Sequence, residues 1–180
     1  MTLQLEAMSV ALPEVAGHPN RLPFRGILTL VGVASQRPPS GARGHRVMLT
    51  REATEAALPS LLGMALDYAP ALAAHDVRRK IGIITDAEIV PMPQSRTSGK
   101  TGQISVAGYV FAHDFPDVVD AIRAQADGSL GMSYEIANAS VPRQDASIWA
   151  VTSFTFTGAA VLCRNKAAYP QTWIQIATAN

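Results

Sequence analysis

The stretch "SLGMSYEI" at residues 129–136 sets a hydroxyl, Ser133, inside an otherwise apolar run that alternates like a strand. A serine on a rigid strand can attack a carbonyl if a base takes its proton. Four histidines could supply that base: His18, His45, His75 and His113. His18 and His45 fall in Gly/Pro-rich, loop-like chain and read as surface residues. His113, in "FAHDFP", reads as a turn residue near a helix start. His75, in "PALAAHDVRRKIGII", stands just before a strand. Taken singly, Ser133 is a sheet serine and His75 a structural histidine. Standing 58 positions apart, they are the pair left once other motifs are removed.

Those motifs fail on particular residues. Gly131-Met132-Ser133 begins a nucleophile elbow, but Glu135 stands where the second glycine belongs. The context is also helix-to-strand, the reverse of what that turn needs. "TSGKTG" at 97–102 resembles the end of a phosphate loop, yet Gln94 occupies the upstream glycine position. Carboxylates occur singly, without a spacing that marks paired acid chemistry. No His/Asp/Glu group has metal-ligand spacing. The single cysteine, Cys163, excludes an internal disulfide and cysteine-based metal sites.

The elements that must position Ser133 and His75 are mostly strands. "RGILTLVGVAS" at 25–35 is a β-branched apolar run and predicts a buried strand. "LTREATEAALPSLLGMAL" at 49–66 predicts a helix capped by Thr50, with Glu52 in its first turn and a division at Pro59. "KIGIITDAEIV" at 80–90 and "QISVAGYVFA" at 103–112 predict an antiparallel hairpin joined by a long turn at 91–102. Gly82 inside the first arm implies a bulge or a close backbone approach. "FPDVVDAIRAQADG" at 115–128 predicts a second helix, started by Pro116 and Asp117 and stopped by Gly128, burying Val118, Val119, Ile122 and Ala126. Strands follow at 129–141 and 147–162, and the tail is weakly strand-like. The expected fold is mainly β with inserted helices (α+β), a closed or nearly closed antiparallel β-barrel. Residues 1–24 form an N-terminal arm, and 25–180 form a single domain.

Composition limits the partners. The 180 residues carry a net charge of +1, which argues against specific nucleic-acid binding because phosphate contacts need a clustered basic face. "DVRRK" at 76–80 is too short to reverse this. No apolar run reaches membrane-spanning length and no signal sequence opens the chain, so a membrane role is not expected. Hydrophobic content of 48% against 16% charged residues leaves apolar surface to cover, as in a chain that contacts partners.

The order of these segments resembles the prohead, or capsid-maturation, serine proteases of tailed bacteriophages, whose fold is shared with the herpesvirus assembly proteases. The resemblance runs over about residues 25–172. It is carried by "GILTLVGVAS", "MLTREATEAALPSLL", "HDVRRKIGIITDAEI", "ISVAGYVFAHDFPDVVDAI", "LGMSYEI" and "FTGAAVLCRNKAAYPQT". It implies Ser133 as nucleophile and His75 as general base. Many relatives carry a glutamate downstream of the serine, but "AVTSFTF" holds no acid there. Glu135, on the same strand face as Ser133, is the substitute for the third member. The backbone at Arg164 is the candidate oxyanion donor.

Two functions follow from the resemblance. One is a cofactor-free serine endopeptidase that cleaves scaffold protein or the arm of the major capsid protein during prohead assembly, inside the procapsid in the host cytoplasm. The other is a catalytically inactive, protease-like cement or decoration protein of the virion. The missing downstream acid and the low charge density favour the second. In either case the partners are the major capsid and scaffold proteins, with self-association into a homo-oligomer a further expectation.

Overall fold

The computed structural model describes residues 8–10, 12–13, 15–92 and 100–178. Most of the expected arm at 1–24 is therefore covered, but residues 1–7, 11 and 14 lie outside the described residues, as does the hairpin tip at 93–99.

The chain opens with a two-residue strand, β1 (Met8–Ser9), followed by β2 (Leu22–Val31) and β3 (Arg46–Leu49). Helix α1 (Arg51–Ala57) comes next, then a 3-10 turn (Leu58–Leu61) and β4 (Ala65–Tyr68). The hairpin strands are β5 (Lys80–Val90) and β6 (Gly102–Val110), followed by α2 (Pro116–Arg123). The last strands are β7 (Leu130–Ser140), β8 (Ile148–Val151), β9 (Ser153–Cys163) and β10 (Trp173–Ile176).

The local signals act as expected in most places. Thr50 caps α1 by accepting the Ala53 N–H at 3.3 Å. Pro59 tightens the chain into the 3-10 turn. The expected helix ends there: the turn stops at Leu61, and Ala65–Tyr68 is strand. Pro116 starts α2, which buries Val118, Val119 and Ile122. Ala126 is exposed because the helix stops at Arg123, before its next turn. Gly82 marks a close approach: a Cβ there would stand 2.3 Å from the Tyr109 carbonyl oxygen of β6.

Seven strands run in the order β10-β2-β6-β5-β4-β9-β7, and β1 pairs with the outer half of β5. The expectation of a closed antiparallel barrel is corrected in two respects. The sheet is mixed, because β4 runs parallel to β9, and the separate β3–β8 pair is also parallel. The sheet also stays open, because no ladder joins its end strands β7 and β10. Side chains bridge that seam instead. Thr172 Oγ1 accepts the Met132 N–H of β7 at 3.1 Å and donates to the Tyr169 carbonyl at 2.9 Å. Met132 in turn lies against Gly26 of β2. The curled sheet encloses Leu28, Ile81, Ile84, Ile104 and Phe156, all buried.

Thr172 is fully buried, so its replacement leaves the Met132 N–H unpaired. Thr172→Val is expected to cost about 1–3 kcal/mol in a denaturant titration. A neutral result would mean that the seam is held by packing alone.

Candidate active site

Three adjacent strands place the site in one row. Ser133 of β7 pairs with Ala160 of β9, and Ala160 pairs with Asp67 of β4. Residues in register across a sheet point to the same face. The methyl of Ala160 leaves room above it for a ring. His75 fills that room from the loop between β4 and β5. Its Nε2 lies 3.0 Å from Ser133 Oγ. The expected nucleophile and base are therefore in hydrogen-bond contact.

The loop that carries His75 is tied down at several points. Leu72 buries its side chain with φ at 49°, a left-handed conformation that a branched residue adopts only when its surroundings hold it there. Its carbonyl accepts the Cys163 N–H at 2.7 Å. Beyond His75, the Asp76 N–H donates to Asp67 Oδ1 at 3.4 Å. The imidazole thus sits on a braced loop over a rigid sheet.

Two carboxylates flank the far ring nitrogen. Glu135 Oε1 lies 3.0 Å from His75 Nδ1, and Asp67 Oδ2 lies 3.6 Å from it. Glu135 extends on the same face as Ser133, as its two-residue offset predicts. It pairs with Gly158, where a Cβ would fall 2.6 Å from Glu135 Oε2. The glycine therefore makes space for the carboxylate. Lys80, at the start of β5, places its ammonium 3.5 Å from Asp67 and 3.8 Å from Glu135. An ionised carboxylate only accepts, so with one beside Nδ1 the ring proton belongs on Nδ1 and the Nε2 lone pair faces Ser133.

The charges tune one another. Burial pulls the His75 imidazole down, but hydrogen bonding and charge from Asp67, with Glu135 added, override it and hold the ring above its ordinary value. Burial pushes both carboxyls up. At Asp67, the polar neighbours His75 and Glu135, with the charges of His75 and Lys80, outweigh burial and hold it below the usual range. Glu135 stays raised, by burial first and then by Asp67 beside it. Asp67, His75 and Glu135 are also the one group among the described residues whose ligand atoms could converge on a metal ion. Lys80 already sets a cation against both carboxylates.

Ser133 opens into a cleft of about 790 Å³, walled by Pro38, Ala42, Val141, Trp149 and Leu162. The β3–β8 pair and its loops form the far wall, where His45 stacks on Trp149 with ring centroids 4.4 Å apart. His18, in loop chain, is half-buried and accepts the Asn20 N–H, and His113 is exposed at a turn as expected. Arg164 does not meet its expectation in this structure. Its N–H donates to the Ser129 carbonyl at 2.7 Å, and its Nε donates to the Thr172 carbonyl at 3.0 Å, so that amide is not free to bind an oxyanion.

Sequence reasoning missed Asp67. An acid between Leu66 and Tyr68 could have pointed to it, but the expected helix at 49–66 covered the start of β4. No protein-family model, curated protein or solved structure matches the chain.

Proposed function

We propose that this chain is a serine endopeptidase of the capsid-maturation type, on a herpesvirus-protease-like fold. It acts on scaffold protein or the arm of the major capsid protein inside a bacteriophage procapsid. The observation that carries this reading is the 3.0 Å contact between Ser133 Oγ and His75 Nε2, backed by carboxylates on the other ring nitrogen. The ordered resemblance of the segments supplies the substrate class.

The chemistry follows from these atoms. Ser133 Oγ bonds to the scissile carbonyl carbon as its proton passes to His75 Nε2. His75 then gives that proton to the leaving amine as the C–N bond breaks, leaving an ester on Ser133. Water attacks the ester, with His75 again taking the proton, and Ser133 is restored with release of the acid. No cofactor enters. β7 ends the sheet, and the Met132 N–H, which points away from β9, is taken by Thr172. Backbone groups alternate sides along a strand, so Tyr134 offers its N–H and C=O on that same outer edge. An extended peptide laid along it passes Ser133.

The second reading is an inactive structural protein of the capsid on the same fold. The paired amide of Arg164 favours it, since a hydrolase needs donors aimed at the oxyanion.

A fluorophosphonate probe separates the two. It is expected to add one phosphonyl group at Ser133, mapped by peptide mass, and to leave Ser133→Ala untouched. Co-expressed capsid or scaffold protein should be shortened by the unmodified chain alone. An unlabelled Ser133, with the chain present in mature particles at a fixed ratio to capsid protein, would establish the structural reading instead.

A further inference from the structure

We propose that Asp67 is the positioning residue that orients His75 and stabilises its protonated form, with Glu135 as the outer member of a carboxyl pair. This rests on His75 serving Ser133 as its base. Distance alone favours Glu135, at 3.0 Å from Nδ1 against 3.6 Å for Asp67. Three other observations favour Asp67.

First, His75 Nδ1 and Asp67 Oδ2 are both buried, and neither makes an aligned hydrogen bond. A buried donor and a buried acceptor, each lacking an aligned partner, face one another across 3.6 Å. Each has only an ion-pair neighbour, Glu135 Oε1 at 3.0 Å from Nδ1 and Lys80 Nζ at 3.5 Å from Oδ2, and an aligned bond between the two buried atoms would satisfy both. Contacts of this kind commonly tighten only when substrate binds or charge develops on the ring.

Second, the Asp67 side chain is 0% exposed, whereas Glu135 is 19% exposed on its strand. Asp67 is fixed at its other oxygen by the Asp76 N–H, the residue next to His75. One carboxylate thus ties the loop that carries the ring and faces the ring itself. Water reaches Glu135 and weakens its hold on the ring.

Third, two carboxyls this close share a proton more readily than they both ionise. The charged groups facing His75 are Asp67 from β4 and Glu135 from β7; Lys80 of β5 acts on both carboxylates. Asp67 is the member held below the usual carboxylate range, and Glu135 the member raised. Those directions agree with the burial in placing the ionised group beside the imidazole at Asp67. Only the ionised group stabilises an imidazolium.

The test compares Asp67→Asn with Glu135→Gln. In the active chain, Asp67→Asn is expected to lower kcat on the order of 10²–10⁴-fold with KM nearly unchanged. It should also move the acid limb of the kcat/KM profile to lower pH. Glu135→Gln is expected to lose less than about tenfold. In a Ser133→Ala background, which needs no turnover, the NMR titration midpoint of His75 should fall further with Asp67→Asn than with Glu135→Gln. That arm stands even if no substrate is ever cleaved. Cleavage that survives Asp67→Asn but not Ser133→Ala would overturn the assignment and leave the protease standing. If Asp67→Asn fails to fold by circular dichroism, Glu135→Gln decides: a small effect supports Asp67, and a loss equal to that of His75→Ala assigns the ring to Glu135.

Discussion

Ser133→Ala and His75→Ala are each expected to reduce cleavage of a co-expressed capsid or scaffold protein by at least ~10⁴-fold, and the double variant by no more than the worse single. The reason is that in the proposed mechanism the two side chains act as one unit. Without the imidazole, Ser133 keeps its proton and is a poor nucleophile. Without the hydroxyl, the imidazole has nothing to activate. Removing the second member after the first therefore takes away nothing further. Independent contributions would multiply instead, and a double variant much worse than either single would show that Ser133 and His75 do not work together. Retained cleavage in Ser133→Ala would mean that another residue is the nucleophile. Both singles should keep the fold, though for different reasons. Ser133→Ala extends a row that already holds Ala160, so the sheet loses one half-exposed hydroxyl. His75→Ala leaves Asp67 and Glu135 with Lys80 as their cation, and the loop keeps its anchors at Leu72 and Asp76. Circular dichroism should therefore match the parent chain in both.

Some of this site was legible in the sequence, and the reason differs residue by residue. Glu135 was legible because a strand repeats every two residues, so an acid two places after Ser133 must share its face. Ser133 and His75 were legible only as an ordered pair within a series of segments. Asp67 was not, because β4 has four residues, too few to show a period, and its partner β9 lies far along the chain. The Ala/Leu-rich run before it satisfied a helix pattern up to the point where the chain turns. The pairing of the Arg164 amide was hidden for a related reason. Its place after the strand suggested it by resemblance, but the Ser129 carbonyl that takes its N–H comes from the turn before β7. The open sheet is a third case. The strands are evident from their alternation, whereas the meeting of β7 with β10 depends on Thr172 and Met132 finding each other after the chain has folded.

Phe156→Ala is expected to destabilise the fold by about 3–5 kcal/mol, because it removes the largest fully buried side chain and leaves a cavity beneath the site strand. Phe156 lies on β9, with Phe154 edge-on at 5.0 Å and Tyr134 edge-on at 6.2 Å between ring centroids. Such pairs add to what burial alone supplies. Tyr134 is the residue between Ser133 and Glu135, and its side chain points to the opposite face, into this cluster. Phe156 also pairs with Ile136, immediately after the register shift that follows Glu135. The ring thus supports β7 at the point where the ladder is irregular and where the two site residues project. Phe156→Leu fills most of the space and should cost less than about 1.5 kcal/mol. For a domain of this size the alanine variant should melt on the order of 10 °C lower, at about 2–4 °C per kcal/mol. Its phosphonate labelling at Ser133, measured well below the melt, should slow more than that of Phe156→Leu, because a loosened β7 holds Oγ less firmly against His75 Nε2. A loss below about 1 kcal/mol in a denaturant titration would show that the cluster collapses around the missing ring and that β7 draws its rigidity from the β9 ladder alone.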